Sequence, residues 1–308
     1  MNVLVIGACN VNDSIYSLAR DESIQPPIVA GAGTMSGGHT PYVHSVQEAI
    51  QFVRYVREVI ELPASVRRYI FTDQDFFPRG LGSAFDEADI VLFEFSTPLE
   101  IEFGAYRLNR NELQRRLITP LSEAVPSLAR PLGEWFHEGI LKGNPERTAV
   151  AARALAGLQH DLGDALADAP EWRELFCHVR GRLLNKAEIV HFLNQLRMMF
   201  DARFAVVMPS LRYTLDGRGW GWPLEFTEQL EDACSELDLP LLDFDGVVRR
   251  CGPEVALMPD LYHHRPGFTG FLDEILRFMR EVASKQPGGL PDQQRRKPRD
   301  AGVIRSCR

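Results

Sequence analysis

No apolar run in this sequence approaches the roughly 18 to 20 residues that a helix needs to cross a bilayer. The first such run, inside MNVLVIGACNVND, has no basic residues before it and is too short for the core of a signal peptide. The expectation is a protein without a membrane span that works in the cytoplasm. Cysteine is scarce and scattered: Cys9, Cys177, Cys234, Cys251 and Cys307 are odd in number and show no Cys-x-x-Cys spacing. That argues against a disulfide framework and against a structural zinc site, and leaves free thiols in a reducing compartment. Positive charge is in deficit, with 34 Lys and Arg against 42 Asp and Glu, a net charge of −8 and a pI near 5.6. Without clustered cations there is no general attraction for phosphate backbones or anionic membranes, so nucleic acid is not an expected partner. A Gly-x-Gly-x-x-Gly pattern is missing after the opening strands, as is an acidic residue at the end of the second, which ranks nucleotide-dependent redox chemistry low.

What is present is the composition of an ordinary globular chain, 45% hydrophobic and 25% charged over 308 residues, enough for one large core or two modest ones. Residues 2 to 6 (NVLVI) read as a parallel strand buried on both faces, followed by a helix with Asn12, Asp13 and Ser14 as available N-caps. PPIVAGAG at 26 to 33 reads as a second strand running into a glycine-rich loop that reaches Thr40. An amphipathic helix from about Ser45 to Glu61 carries Val46, Ala49, Ile50, Val53, Val56 and Ile60 on one stripe. ADIVLFEFS at 88 to 96 and RFAVVMPS at 203 to 210 are the next strands, and LPLLDFDGVV at 239 to 248 the fifth. Helices are expected at about Lys186 to Phe200, Leu224 to Leu237 and Gly267 to Ala283, and a long helical insertion over about residues 100 to 185. Alternating strand and helix predicts an α/β domain over residues 1–284, a three-layer sandwich with a five-stranded parallel sheet. From Lys285 to Arg308 the chain gains Pro, Gly and charge and reads as a disordered tail.

In such a sheet, ligands sit at the carboxyl ends of the strands. Cys9 stands two residues past Gly7, at the mouth of a predicted helix, where backbone N–H groups favour a thiolate. As a free cysteine it also reads as a small buried filler. MPDLYHHRPGF at 258 to 268 sets Asp260 three residues before His263, so one loop supplies a base and a carboxylate to orient it, the logic of acyl transfer. Asp260, His263 and His264 also suit a metal by residue type, but no HxH, HExxH or third ligand joins them, and no metal is expected. Of the two adjacent histidines, His264 reads as the solvated or capping one.

The order and spacing of these motifs resemble the SGNH (GDSL-like) hydrolases. In that family a first strand runs into a Gly-x-Ser nucleophile turn, and an Asp-x-x-His loop precedes the last helix. Here the two are Gly7-Ala8-Cys9 and Asp260-Leu261-Tyr262-His263. The opening is similar to a cysteine-containing subset, with an aspartate shortly after it that Asp13 matches, whose members are linked to bacterial surface-polysaccharide modification. The resemblance covers about residues 1 to 100 and 185 to 283 and implies a flavodoxin-like fold. It makes Cys9 the nucleophile, His263 the general base and acid, and Asp260 the orienter of the imidazole. Ser14, in Asn12-Asp13-Ser14-Ile15, echoes Gly-Asp-Ser-Leu, but it lies seven residues past Gly7, inside the predicted helix, so Cys9 is preferred.

The family's oxyanion donors are a glycine after strand two, which Gly37 matches best, and an asparagine after strand three. This chain has Ser96-Thr97-Pro98 at the latter place, so Ser96 or Thr97 must substitute. Loss of one such donor costs about 10²–10³ in rate. Backbone N–H groups from Ala8 to Asn10 offer a further nest for an anion. Asn10, Trp220 and Trp222 are candidate substrate contacts, the tryptophans by stacking on a sugar ring or acyl chain, or else as an apolar plug over the sheet. Arg107, Arg110, Arg115 and Arg116 either face an anionic group or form a solvated helix face. Two functions follow. One is an esterase or acyltransferase on a carbohydrate-type substrate, needing no cofactor beyond an acyl thioester as co-substrate. The other is a catalytically impaired module that binds glycans or acyl groups.

Overall fold

The structure of the protein, a computed structural model, describes residues 2–7, 11, 29–31, 42–71, 81–157, 172–209, 223–259, 264–265 and 268–284. Among them are eight strands: β1 (Val3–Ile6), β2 (Val29–Gly31), β3 (Ile90–Glu94), β4 (Leu99–Phe103), β5 (Tyr106–Arg107), β6 (Arg180–Leu183), β7 (Arg203–Met208) and β8 (Leu241–Asp243). β1, β2, β3, β7 and β8 form one sheet in the order β2-β1-β3-β7-β8, and every adjacent pair is parallel. The mixed α/β class is therefore observed, and the register places Ile6 beside Phe93 and Glu94 beside Val207 at the carboxyl edge.

β1, β3 and β7 divide their side chains between two cores, because successive residues point to opposite faces. Leu4, Ile6, Val91, Phe93, Phe204, Val206 and Met208 pack on one face against helices Val46–Val56, Lys186–Arg197 and Pro223–Glu236. Val3, Val5, Ile90, Leu92, Ala205, Val207 and Leu242 pack on the other against helices Phe244–Cys251 and Gly270–Ser284. Burial on both faces explains why β1, β3 and β7 are continuous apolar runs.

Two expectations need correction. The segment after β3 is not wholly helical: β4, β5 and β6 make a small antiparallel sheet in the order β5-β4-β6. Leu99 pairs with Leu183, and the Leu184 N–H donates to the Pro98 carbonyl at 2.9 Å, so the segment leaves and rejoins the main fold at one point. Between them run α-helices and two π-helical stretches, Gln114–Ile118 and Glu134–Ile140. Their apolar residues, Leu117, Trp135, Phe136 and Phe176 among them, are continuous with the first of the two cores. The second correction concerns the run at 239 to 248, where the strand stops at Asp243. Its side chain accepts the Asp245 N–H at 2.8 Å and caps helix Phe244–Cys251, whose buried Phe244, Val247 and Val248 follow helical spacing. The neighbouring helices otherwise run close to their expected spans, as Lys186–Arg197, Pro223–Glu236 and Gly270–Ser284. The tail from Lys285 lies outside the described residues.

Candidate functional site

The carboxyl edge of the main sheet is built around a close approach of β1 and β3. A Cβ placed on Gly7 would lie 2.4 Å from the Glu94 Cβ, so only glycine fits at the end of β1. Glu94, the last residue of β3, is fully buried, and its Oε2 accepts the backbone N–H of Val11 at 3.0 Å. Val11 is itself helical and fully buried. Cys9 and Asn10, between Gly7 and Val11, lie outside the described residues, as do Asp13 and Ser14. Glu94 did not emerge from the sequence as a site residue, although a carboxylate inside IVLFEF, a strand buried on both faces, was the available signal.

A short segment, Tyr42 to Ser45, crosses the same strand tips. The Val43 N–H donates to the Gly7 carbonyl at 3.1 Å, and the His44 carbonyl accepts the N–H of Ser96 at 3.0 Å and of Thr97 at 3.3 Å. The Ser96 hydroxyl donates to that carbonyl too, at 3.3 Å, and the Thr97 hydroxyl oxygen accepts the Leu99 N–H at 3.1 Å. The N–H groups of Ser96 and Thr97 and the Ser96 hydroxyl are thus engaged on the His44 carbonyl, while the Thr97 hydroxyl oxygen is engaged as an acceptor. Behind this segment lies a buried polar network. Ser45 caps helix Val46–Val56 and donates its hydroxyl to Glu100 Oε2 at 2.7 Å, and Gln47 N–H donates to Glu100 Oε1 at 3.2 Å. Asn109 Nδ2 donates to the Tyr42 carbonyl at 2.8 Å and to Glu48 Oε2 at 3.2 Å, and stands 3.1 Å from His44 Nδ1. Burial pushes the Glu100 carboxyl up to about 8, with Glu48 adding repulsion while the Ser45 and Gln47 hydrogen bonds and Arg107 pull the other way.

On the far side of the edge, Leu257 and His264 form an isolated antiparallel bridge, and the Arg265 N–H donates to the Ala256 carbonyl at 2.9 Å. Asp260 and His263 fall between the bridged residues in sequence and lie outside the described residues. His264 is a packing residue: its ring stacks on Phe271 at 3.5 Å and 8° and meets Phe244 edge-on at 5.0 Å. Val11, Phe244, Leu257 and Phe271 belong to one apolar cluster, so the chain following Cys9 and the chain preceding Asp260 share a core.

Gly37, Trp220 and Trp222 lie outside the described residues. The candidate arginines do not converge on a common point: Arg107 donates to Gln47 Oε1 and pairs with Glu102, Arg115 and Arg116 pair with Glu112, and Arg110 reaches Asn111. Of the described thiols, Cys177 and Cys251 are exposed, whereas burial pushes the Cys234 thiol up to about 12. Among the described residues no three His, Cys, Asp or Glu side chains gather as a metal would require, and no helix is long and apolar enough to cross a membrane. No curated protein and no solved structure matches the chain. A family model does, described as the TviD N-terminal domain, over residues 1–277 and so across both cores and every described strand. The chain therefore belongs to the TviD N-terminal domain family.

Proposed function

We propose that the chain is a cytosolic acyl-transfer enzyme of SGNH-like, flavodoxin-like architecture that acts on a carbohydrate-type substrate through Cys9, His263 and Asp260. The imidazole of His263 takes the Cys9 proton as the sulfur bonds to the acyl carbon of a thioester or ester, and Asp260 orients the ring and balances its charge. The imidazolium returns the proton to the departing thiol or alcohol. A sugar hydroxyl, or water, then gives its proton to the imidazole, attacks the acyl-cysteine and releases the thiol. The Ser96 hydroxyl and the N–H groups of Ser96 and Thr97 are held by His44, so the oxyanion falls to the N–H groups of the Ala8–Asn10 segment, to Gly37 and to the Thr97 hydroxyl.

The observation that carries this reading is the shared core of Val11 and Leu257, which supports bringing the two chemical motifs to one edge of the sheet. His264 is committed to aromatic packing, and this favours His263 as the base. Membership of the TviD N-terminal domain family is the link to polysaccharide modification. A second reading, a glycan- or acyl-binding module without turnover, is favoured by the engagement of Ser96 and Thr97. Alkylation separates the two. Iodoacetamide near neutral pH labels Cys9 ahead of Cys177, Cys234 and Cys251 if the thiol is activated, and His263→Ala abolishes that preference. Uniform slow labelling supports the binding module instead.

A further inference from the structure

The segment 42–45 lies outside every strand and helix, yet it occupies three hydrogen-bond donors at once. Its His44 carbonyl accepts the Ser96 N–H at 3.0 Å, the Thr97 N–H at 3.3 Å and the Ser96 hydroxyl at 3.3 Å. Three donors that converge on one oxygen at the end of β3 make a seat for an oxygen atom, and the chain fills it with its own carbonyl. Ligands of a parallel sheet sit at this same edge.

Two buried side chains fasten the segment from behind. Asn109 Nδ2 donates to the Tyr42 carbonyl at 2.8 Å, and its Oδ1 accepts the Asn111 N–H at 3.0 Å, which fixes the amide. Glu100, on β4, accepts the Ser45 hydroxyl and the Gln47 N–H and is fully buried. Among the described charged groups, Glu48 opposes its ionisation and Arg107 on β5 favours it, while burial outweighs both. Arg107 is turned to Gln47 and Glu102; Arg182, which faces Glu100 in register on β6, pairs with Glu102 and Glu188. Arg115 and Arg116 are held by Glu112, and the His44 ring stands 3.7 Å from Glu48. The fastening is also imperfect. Arg107 Nε donates to Gln47 Oε1 at 2.7 Å, which leaves the buried Gln47 Nε2 without a partner among the described residues, a costly state for a donor.

We propose that the segment 42–45 is a strap over the Ser96 and Thr97 donors, fastened by Glu100 and Asn109, and that it lifts from the tip of β3 as pH rises. The neutral acid of Glu100 suits a dry site, whereas its anion, beside Glu48, gains by reaching water. The piece that yields is the one with no ladder or helix to hold it, since β4 is paired with both β5 and β6. Lifting frees three donors for an oxygen of a ligand. None of this depends on which residue is the nucleophile.

The test is amide hydrogen exchange of the full chain, read residue by residue from pH 5 to 9 and expressed as protection relative to the unstructured rate. Ser96 and Thr97 are expected to be less protected than Val206 of β7, whose N–H donates to the Pro240 carbonyl and reports global unfolding. Their protection falls by up to about tenfold per pH unit, the effect of one proton, and levels off above about 8. In Glu100→Gln it is flat. In Glu48→Gln, which keeps an oxygen acceptor for the His44 N–H and removes the repulsion on Glu100, it levels off at lower pH. Protection of Ser96 and Thr97 equal to that of Val206 overturns the strap, because the opening is then global. A flat wild-type profile overturns it without any variant, and a slope that persists in Glu100→Gln does so as well.

Discussion

At the scale of single residues, Glu100 and Gly7 make sharp demands. Glu100 is fully buried with its carboxyl raised from 4.5 to about 8, so folding favours its protonated form. The unfolded chain releases that proton at lower pH than the folded one, and stability falls as pH rises. The contribution is complete below about 4.5 and is lost as pH climbs to about 8. Denaturant titrations at a series of pH values are expected to show this decline in the wild type and a flatter profile in Glu100→Gln, which mimics the neutral acid. An unchanged slope in the variant would remove Glu100 as its source. Gly7→Ala forces its new methyl into Glu94 at 2.4 Å, and overpacking of this kind typically costs about 1–3 kcal/mol. A lowered denaturation midpoint, together with slower alkylation of Cys9, is the expected outcome. The proposed site residues Cys9, Asp260 and His263 stand out in the sequence because their residue types and spacing carry chemistry in one dimension. Glu94 and Glu100 do not, since each matters through partners 83 and 55 residues away.

At the scale of elements, the apolar runs of β1, β3 and β7 announced themselves, because a strand buried on both faces has no polar alternation to confuse it. The strand expected over 239 to 248 is shorter, because LLDFDGVV is rich in apolar residues but Asp243 ends β8 and caps a helix. Asp243→Ala is expected to cost about 1 kcal/mol of stability, the usual worth of an N-cap, measured by chemical denaturation. The second sheet was missed for two reasons. In β4, LEIEF does alternate, with Leu99 and Ile101 buried, but it follows β3 so closely that it reads as the start of a helix. β6, RGRL, has no strand signature at all and exists through its pairing with β4 and the close passage of Gly181 against Ile140. A Cβ on Gly181 would lie 1.8 Å from the Ile140 carbonyl oxygen, so Gly181→Ala must displace backbone. A fall in melting temperature larger than that of Gly104→Ala, a position with positive φ but open space around it, is the expected comparison. Equal effects would mean that the contact is slack.

At the scale of the whole molecule, the apolar residues of the 99–183 segment are continuous with the core on one face of the main sheet. Segment and sheet should therefore unfold together: tryptophan fluorescence, which includes Trp135 and Trp172 of the segment, and far-ultraviolet ellipticity are expected to give coincident denaturation curves. Separate transitions would make the segment an independent unit. The strand order also sets the problem that the site must solve. β1, which leads to Cys9, and β8, which leads to the loop before helix Gly270–Ser284, are separated by β3 and β7. With strands about 4.8 Å apart, that is a span of roughly 14 Å at the carboxyl edge. The sequence shows which groups are chemically suited to meet, while the span follows only from the pairing order, which no local pattern records. Intact-mass spectrometry after incubation with an acyl thioester tests the meeting most directly. The account predicts one acyl group added, mapped to Cys9, strongly reduced in His263→Ala and absent in Cys9→Ser. An unmodified protein, or an adduct that persists unchanged in both variants, would contradict it.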